Sequence, residues 1–221
     1  MSKEEEIRRA LYEQTLDGNV KEAGRLTDEA LALDIKPAPL LFDVLIPALD
    51  EVGRRFEAGE FFVPEMLMAA KAMQEAMQRL RPLLAESGVQ LAGTILMLTV
   101  KGDVHDIGKN LVNLMLEGAG FQVIDLGVDV APEKMIAAVR QHHPAVVGFS
   151  ALLTTTIPMF RVNIEALQKA GLRDQVKVIV GGAAASQKYA DQVGADGYAP
   201  DAGSAVRLVR RLVGEPVVSP A

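Results

Sequence analysis

The sequence contains no cysteine and no tryptophan among its 221 residues. The absence of cysteine excludes disulfide bonds, thiolate metal ligands and a cysteine nucleophile. No uncharged apolar run approaches the roughly 20 residues that a membrane-spanning helix needs. The start of the chain also lacks the apolar core of a signal peptide. We therefore expect a cytoplasmic protein that does not contact a membrane.

The residues that are present have proportions typical of a globular protein, with 49% hydrophobic and 24% charged side chains. The formal net charge of -6 argues against a general nucleic-acid surface, because such surfaces are basic. A chain of this length can form two small domains, each with its own core.

The N-terminal part of the sequence shows helical patterns and almost no strand patterns. Two candidate helices cover residues 7–15 and 20–33. A third spans residues 40–59, after a breaker that contains two prolines, and a fourth spans residues 64–80. Four helices with brief connections predict an antiparallel bundle. Residues 81–88 contain proline and glycine, and they are interpreted as a linker that follows the bundle.

The remaining sequence alternates between short apolar runs and helical patterns. The predicted strands cover residues 94–100, 122–126, 145–150, 176–180 and 197–198. Five βα units in succession predict a parallel sheet with helices on both faces, and ligands of such sheets bind at the edge where the strands end. We therefore predict an α/β protein with a four-helix cap at residues 1–88, a five-stranded Rossmann- or flavodoxin-like domain at residues 89–214, and a tail at residues 215–221.

The loop after the first predicted strand carries the most informative residues. Side chains two apart in an extended segment point to the same side, so the carboxylate of Asp103 can reach one nitrogen of His105. The other imidazole nitrogen is then free to bind a metal ion, with its orientation fixed by the carboxylate. Gly102 and Gly108 allow the backbone to turn and to approach a flat ligand closely.

A plainer interpretation is a helix-capping loop in which the histidine is merely polar and Asp106 caps a helix that starts at Ile107. Three motifs and a cap-like segment, taken together, favour a functional site instead. Asp103-Val104-His105-Asp106-Ile107-Gly108 resembles the Asp-X-His-X-X-Gly signature of cobalamin-binding domains, as in methionine synthase and in corrinoid proteins of methyltransferase systems. Residues 150–156 resemble the Ser-X-Leu segment of that family, residues 181–183 its Gly-Gly pair, and residues 55–64 its helical cap.

The resemblance implies a role for each matching residue. His105 would replace the lower base of the cofactor as the ligand to cobalt, Asp103 would hydrogen-bond His105, and Thr156 would complete this relay where methionine synthase has serine. The displaced nucleotide tail would contact Ser150 and Thr154, and Gly181 and Gly182 would let the backbone approach it. Leu152 and Ala183 would bind the cofactor as well. The other implied cofactor-binding residues are Gly102, Val104, Asp106, Ile107, Gly108, Tyr198 and Asp201.

The cap-like segment supplies two further candidates. Phe56 and Val63 match the apolar residues that cover the upper face of the corrin in methionine synthase, although Val63 is smaller than the leucine expected there. An apolar lid would shield a methyl–cobalt bond from water. Ordinary core packing between helices is the alternative for both residues.

The implied function is that of a methyl carrier with cobalamin, as methylcobalamin, for its cofactor. Cobalt(I) would accept a methyl group from a substrate methyltransferase, and a second methyltransferase with a folate or thiol acceptor would receive it. A reductive activase is a further possible partner, and the linker at residues 81–88 would act as a hinge. The chain would then be a subunit that is not catalytic alone.

Three other functions remain open. The first is a cobalamin-dependent sensor, although such proteins usually add a DNA-binding domain, and photoreceptor caps tend to use tryptophan. The second is an isomerase subunit, whose substrate barrel would have to come from a partner chain. The third is a flavodoxin-like protein that binds no corrinoid.

Overall fold

The computed structural model describes residues 2–87 and 93–214. These residues form two compact units. One unit comprises the helices up to residue 87 together with residues 117–120, and the other comprises the rest of the described residues.

The helical unit contains four helical segments within the described residues. Their bounds are α1 Lys3–Leu16, α2 Val20–Ala32, α3 Pro37–Leu40 continued by a π-helical turn Leu41–Leu45 into α4 Ile46–Glu57, and α5 Val63–Glu86. A capping box starts α1, because the side chains of Ser2 and Glu5 each bond the backbone N–H of the other. Helix α2 packs against α1 and α5, and α4 packs against the same two helices. These contacts bury one apolar side of each helix and confirm the predicted helical N-terminal region.

The predicted linker at residues 81–88 is wrong for its described part, because α5 continues as a helix through Pro82 to Glu86. Proline removes one helical hydrogen bond, but Leu80 and Leu84 on either side of it are buried and hold the helix in place. Gly88 lies outside the described residues. The third helix also starts earlier than predicted, at Pro37, since proline is well tolerated in a first turn.

The second unit is a five-stranded parallel sheet, as predicted. Its strands are β1 Thr94–Thr99, β2 Gln122–Asp125, β3 Val146–Ser150, β4 Lys177–Gly181 and β5 Gly197–Ala199. Its helices are α6 Ile107–Gly118, α7 Pro132–His142, α8 Met159–Lys169, α9 Gln187–Val193 and α10 Ala202–Val213. The strand order is β2-β1-β3-β4-β5, the flavodoxin-like order. A short 3₁₀ turn, Arg173–Gln175, was not predicted.

The sheet brings the three sequence motifs to one edge. Thr99, the last residue of β1, pairs with Ser150, and Ser150 pairs in turn with Gly181 at the end of β4. The loops after β1, β3 and β4 therefore emerge side by side. The strand order reverses between β1 and β3, and ligands of such sheets bind at that point.

Within the described part of the chain, no helix combines the length and the hydropathy needed to cross a bilayer.

Candidate functional site

The loop after β1 holds a bonded aspartate–histidine pair. Asp103 Oδ1 lies 2.7 Å from His105 Nδ1 and also accepts the backbone N–H of His105 at 3.0 Å. The Asp103 side chain is fully buried, whereas 47% of the His105 side chain is exposed. No hydrogen bond involves Nε2 within residues 2–87 and 93–214. The imidazole is thus held by one nitrogen and presents the other.

The second carboxylate oxygen of Asp103 is held by the loop after β3. Oδ2 accepts the Thr156 hydroxyl at 2.7 Å, the Leu152 N–H at 2.8 Å and the Leu153 N–H at 3.4 Å. The Thr156 oxygen also lies 3.0 Å from the Leu153 carbonyl. A hydroxyl has one proton, and the shorter bond to a charged acceptor takes it. The structure therefore brings His105, Asp103 and Thr156 into one hydrogen-bonded chain.

These contacts keep Asp103 ionised. Burial by itself would raise the pKa of Asp103, but hydrogen bonds from the Thr156 hydroxyl, from the backbone and ring of His105 and from the Leu152 N–H outweigh it. They hold the pKa of this carboxyl well below its usual range. Asp103 is therefore ionised at neutral pH and can only accept hydrogen bonds. Because Asp103 can only accept, the ring donates through Nδ1, and Nε2 is the nitrogen left to bind a metal.

Backbone contacts explain why the loop takes this shape. Gly102 adopts a left-handed conformation with φ of 84°. The Thr99 hydroxyl, at the end of β1, donates to the His105 carbonyl at 3.0 Å. The Asp106 carbonyl accepts the Asn110 N–H at 2.7 Å, and its carboxylate accepts the Asn110 side chain at 3.0 Å. Helix α6 begins at Ile107 as predicted, but the Asp106 carboxylate contacts the Asn110 side chain and not a backbone N–H of the first turn.

A buried lysine anchors the first turn of α6. The Lys109 side chain is 1% exposed, and its ammonium forms an ion pair with Asp125 at the end of β2. It also donates to the Asn110 side chain at 2.8 Å, and Asn113 donates to Asp125 at 3.0 Å. Sequence reasoning gave Lys109 no role, because a lysine near a helix start normally indicates only a solvated face.

The loops after β3 and β4 approach each other closely. Gly182 has a φ of 109°, and a Cβ built on it would lie 2.1 Å from the Ala151 carbonyl oxygen. No other residue type fits there without moving the backbone. Gly181 precedes it at the strand end, and Ala183 and Thr154 are exposed. Gly108 is different, because a Cβ on it would meet no described atom within 4 Å.

Five large apolar side chains stand exposed on the loops at this edge of the sheet, and we call them the apolar rim. They are Val104 (68% exposed), Ile107 (80%), Val128 (37%), Leu152 (40%) and Leu153 (41%). A cluster of exposed apolar side chains is typical of a ligand or partner site. Leu153 and Val128 were not among the predicted site residues. Val128 belongs to no recognised motif, and only its position after a strand end could have indicated it.

Four other predicted site residues lie outside the loops after β1, β3 and β4. Tyr198 is half-buried in β5, while the Asp201 carboxylate caps α10 by accepting the Ser204 N–H at 2.7 Å. Phe56 and Val63 belong to the helical unit, at the two ends of the connection between α4 and α5. Phe56 is half-buried and Val63 is 40% exposed.

Comparison with known proteins shows the same two-part organisation. A family model described as a B12 binding domain matches residues 93–207, and a second model with that description matches residues 7–81. A corrinoid protein of Desulfitobacterium hafniense is 37% identical over 218 residues, which cover 97% of this chain and 99% of that protein. Dimethylamine corrinoid protein 1 of Methanosarcina acetivorans is 40% identical over 218 residues, covering 96% and 100%.

A solved structure agrees with these relatives. The methanol:cobalamin methyltransferase complex of Methanosarcina barkeri contains a chain that superposes with a TM-score of 0.83 at 29% identity, covering 95% of this chain and 80% of that one. The family models, the relatives that match nearly the whole chain and the solved structure all indicate a corrinoid-binding protein. The chain belongs to the cobalamin-binding corrinoid proteins of methyltransferase systems.

Proposed function

We propose that the chain is a methyl carrier that binds its corrinoid at the edge formed by the loops after β1, β3 and β4, with His105 as the protein ligand to cobalt. The observation that carries this proposal is the Asp103–His105 pair, in which one imidazole nitrogen is fixed and the other is presented. When bound, the corrinoid supplies a cobalt ion that can accept and give up a methyl group.

The residues at this edge fit such a group. The apolar rim offers contacts to the hydrocarbon periphery of a large flat ligand, and Ile107 in particular is 80% exposed. Space beside Gly108 lets a ligand approach the backbone of α6, since no described atom of the protein occupies it. A single imidazole also suits a metal ion whose other ligands come from a macrocycle.

We propose that Asp103 and Thr156 control the proton on His105. The buried carboxylate stays ionised, so it holds a proton on Nδ1, and Nε2 would be the nitrogen that binds cobalt. Without the metal, Nε2 would be the atom that can take up a proton, and the anionic Asp103 beside the ring would stabilise that charge.

The partners proposed are a substrate-specific methyltransferase and a second methyltransferase that passes the methyl group to a folate or thiol acceptor, with a reductive activase as a further partner. Relatives that match most of the chain are named for dimethylamine and trimethylamine, and the structural neighbour comes from a methanol complex. These names support a methylated amine or methanol as the methyl source. They give no support to the alternative of a sensor.

The test is the absorption spectrum of methylcobalamin bound to the full chain. The wild type should give the spectrum of an imidazole-ligated corrinoid, and His105→Ala should give that of a form without a nitrogen base. His143→Ala is the matched control, because His143 is an exposed histidine at the end of α7. If His105→Ala and wild type give the same spectrum, His105 is not the ligand.

A further inference from the structure

Asp129, in the loop between β2 and α7, makes three contacts with residues 101–103, directly before His105. One carboxylate oxygen of Asp129 accepts the Gly102 N–H at 2.8 Å, and the other contacts the Lys101 ammonium at 2.9 Å. The Asp129 N–H donates to the Asp103 carbonyl at 2.9 Å. One residue thus touches three consecutive residues of the histidine loop, and none of these contacts involves the imidazole.

The backbone of Asp129 is left-handed, with a φ of 52°. This conformation is unfavourable for residues other than glycine, although aspartate and asparagine tolerate it best. Such a conformation persists only where the surroundings determine it. The bonds of its neighbours Gly127 and Val130 to Thr99 hold the backbone on either side of Asp129, and Asp129 itself contacts Lys101, Gly102 and Asp103. In this conformation Asp129 therefore supports the histidine loop.

We propose that Asp129 is a positioning residue that fixes the backbone of the histidine loop, so that His105 presents Nε2 to the corrinoid. This inference rests on the proposed function, in which His105 is the cobalt ligand. The loop after β3 holds the Asp103 side chain through Oδ2, whereas Asp129 holds the Asp103 backbone and the preceding Gly102. Two neighbouring loops thus hold different parts of Asp103, which lies two residues before His105.

The experiment uses two substitutions that separate backbone strain from the carboxylate contacts. Asp129→Gly keeps, and even favours, the left-handed backbone, but it removes both side-chain contacts. Asp129→Asn retains an oxygen acceptor for Gly102 and the tolerance of a positive φ. Asp34→Gly is the matched control, since Asp34 is another left-handed aspartate, with φ of 64°, and its contacts are to Leu31 and Lys36.

The first readout needs no cofactor. Amide hydrogen exchange of Gly102, followed by NMR on the apoprotein, should accelerate on the order of tenfold in Asp129→Gly, the typical net value of one hydrogen bond. Asp129→Asn should restore most of the protection, and Asp34→Gly should leave it unchanged. The second readout is the spectrum of bound methylcobalamin, in which the imidazole-ligated fraction should fall in Asp129→Gly and recover in Asp129→Asn.

Unchanged Gly102 exchange in Asp129→Gly would overturn the proposal, because the carboxylate would then not hold the loop. Faster exchange with an unchanged spectrum would overturn it as well, because the loop would be held without consequence for the ligand. The proposed function is tested separately, because it would fail if the wild type itself did not give the spectrum of an imidazole-ligated corrinoid.

Discussion

Replacing Thr156 by valine tests the site without any cofactor. Valine keeps the branched shape of threonine and removes the hydroxyl that donates to Asp103 Oδ2 at 2.7 Å. The Leu152 N–H at 2.8 Å and the more distant Leu153 N–H remain. The loss is therefore one hydrogen bond to a charged group, which is worth about 1.5–3 kcal/mol. We expect Thr156→Val to lower the free energy of unfolding of the apoprotein by that amount at neutral pH.

The effect should depend on pH in a defined direction. The pKa of Asp103 lies well below its ordinary value of 3.8 in the folded chain, so this carboxylate contributes stability above that value and loses it as the pH falls. Removing the Thr156 donor raises the folded pKa toward the ordinary value and so reduces the contribution. The difference between wild type and Thr156→Val should be complete at neutral pH and should shrink as the pH falls below 3.8.

Urea unfolding followed by circular dichroism measures both quantities. Thr155→Val is the matched control, since Thr155 is the exposed neighbour of Thr156 and its substitution should change stability by less than about 0.5 kcal/mol. Thr156→Ser, which keeps the hydroxyl, should recover most of the loss. The reasoning is refuted if Thr156→Val is as stable as wild type at neutral pH, or if its destabilisation is the same at every pH.

Two further predictions concern the close approach of two loops and the proposed lid. Gly182→Ala should lower the free energy of unfolding by about 3 kcal/mol or more in urea unfolding, because its Cβ would meet the Ala151 carbonyl. The control Gly194→Ala is strained only by its φ of 77° and should lower it by about 1 kcal/mol. Equal losses in the two variants would argue against the clash. If Phe56 belongs to the lid, Phe56→Ala should accelerate photolysis of bound methylcobalamin. The control Phe42→Ala, at an exposed position in the π-helical turn, should not. Equal photolysis rates in Phe56→Ala and wild type would show that Phe56 is not part of the lid.

The parallel sheet could be predicted because its central strands are buried on both faces. Strands β1 and β3 are almost entirely buried, as are the three central residues of β4, and each of these stretches is a short apolar run in the sequence. Residue types also mark the ends of helix α10, Ala202–Val213, because the Asp201 side chain caps its start and Gly214 follows its end. The strand order could not be read from the alternation of strands and helices, because several orders satisfy it.

The wrong predictions in the helical unit concern prolines whose neighbouring residues are buried. A proline near the end of a helical pattern predicted a linker, yet α5 continues past Pro82 because Leu84 has a buried place to occupy. The two prolines at positions 37 and 39 were taken as a breaker and instead form the first turn of a helix. Both errors come from judging a residue by its propensity without knowing what its neighbours bury.

The candidate site, like the fold, could be predicted from the sequence only in part. Asp103, His105 and Thr156 could be named from the sequence because their side chains carry the chemistry. The N–H groups of Leu152 and Leu153 could not, because every residue except proline has a backbone donor and only the fold decides where it points. The Leu152 N–H helps to keep Asp103 ionised, so part of the electrostatics of the site depends on the conformation of a loop and not on residue types.

The position of β1 in the sheet explains why such a loop can be held so firmly. β1 lies between β2 and β3, so the loop that follows it has a neighbouring loop on each side. The loop after β3 binds the Asp103 carboxylate, and the loop after β2 binds Gly102 and the Asp103 carbonyl through Asp129. A histidine after an edge strand could be held from one side only. A ligand that must bind and release a metal without changing its orientation therefore gains from a central strand, and the strand order of this fold provides one.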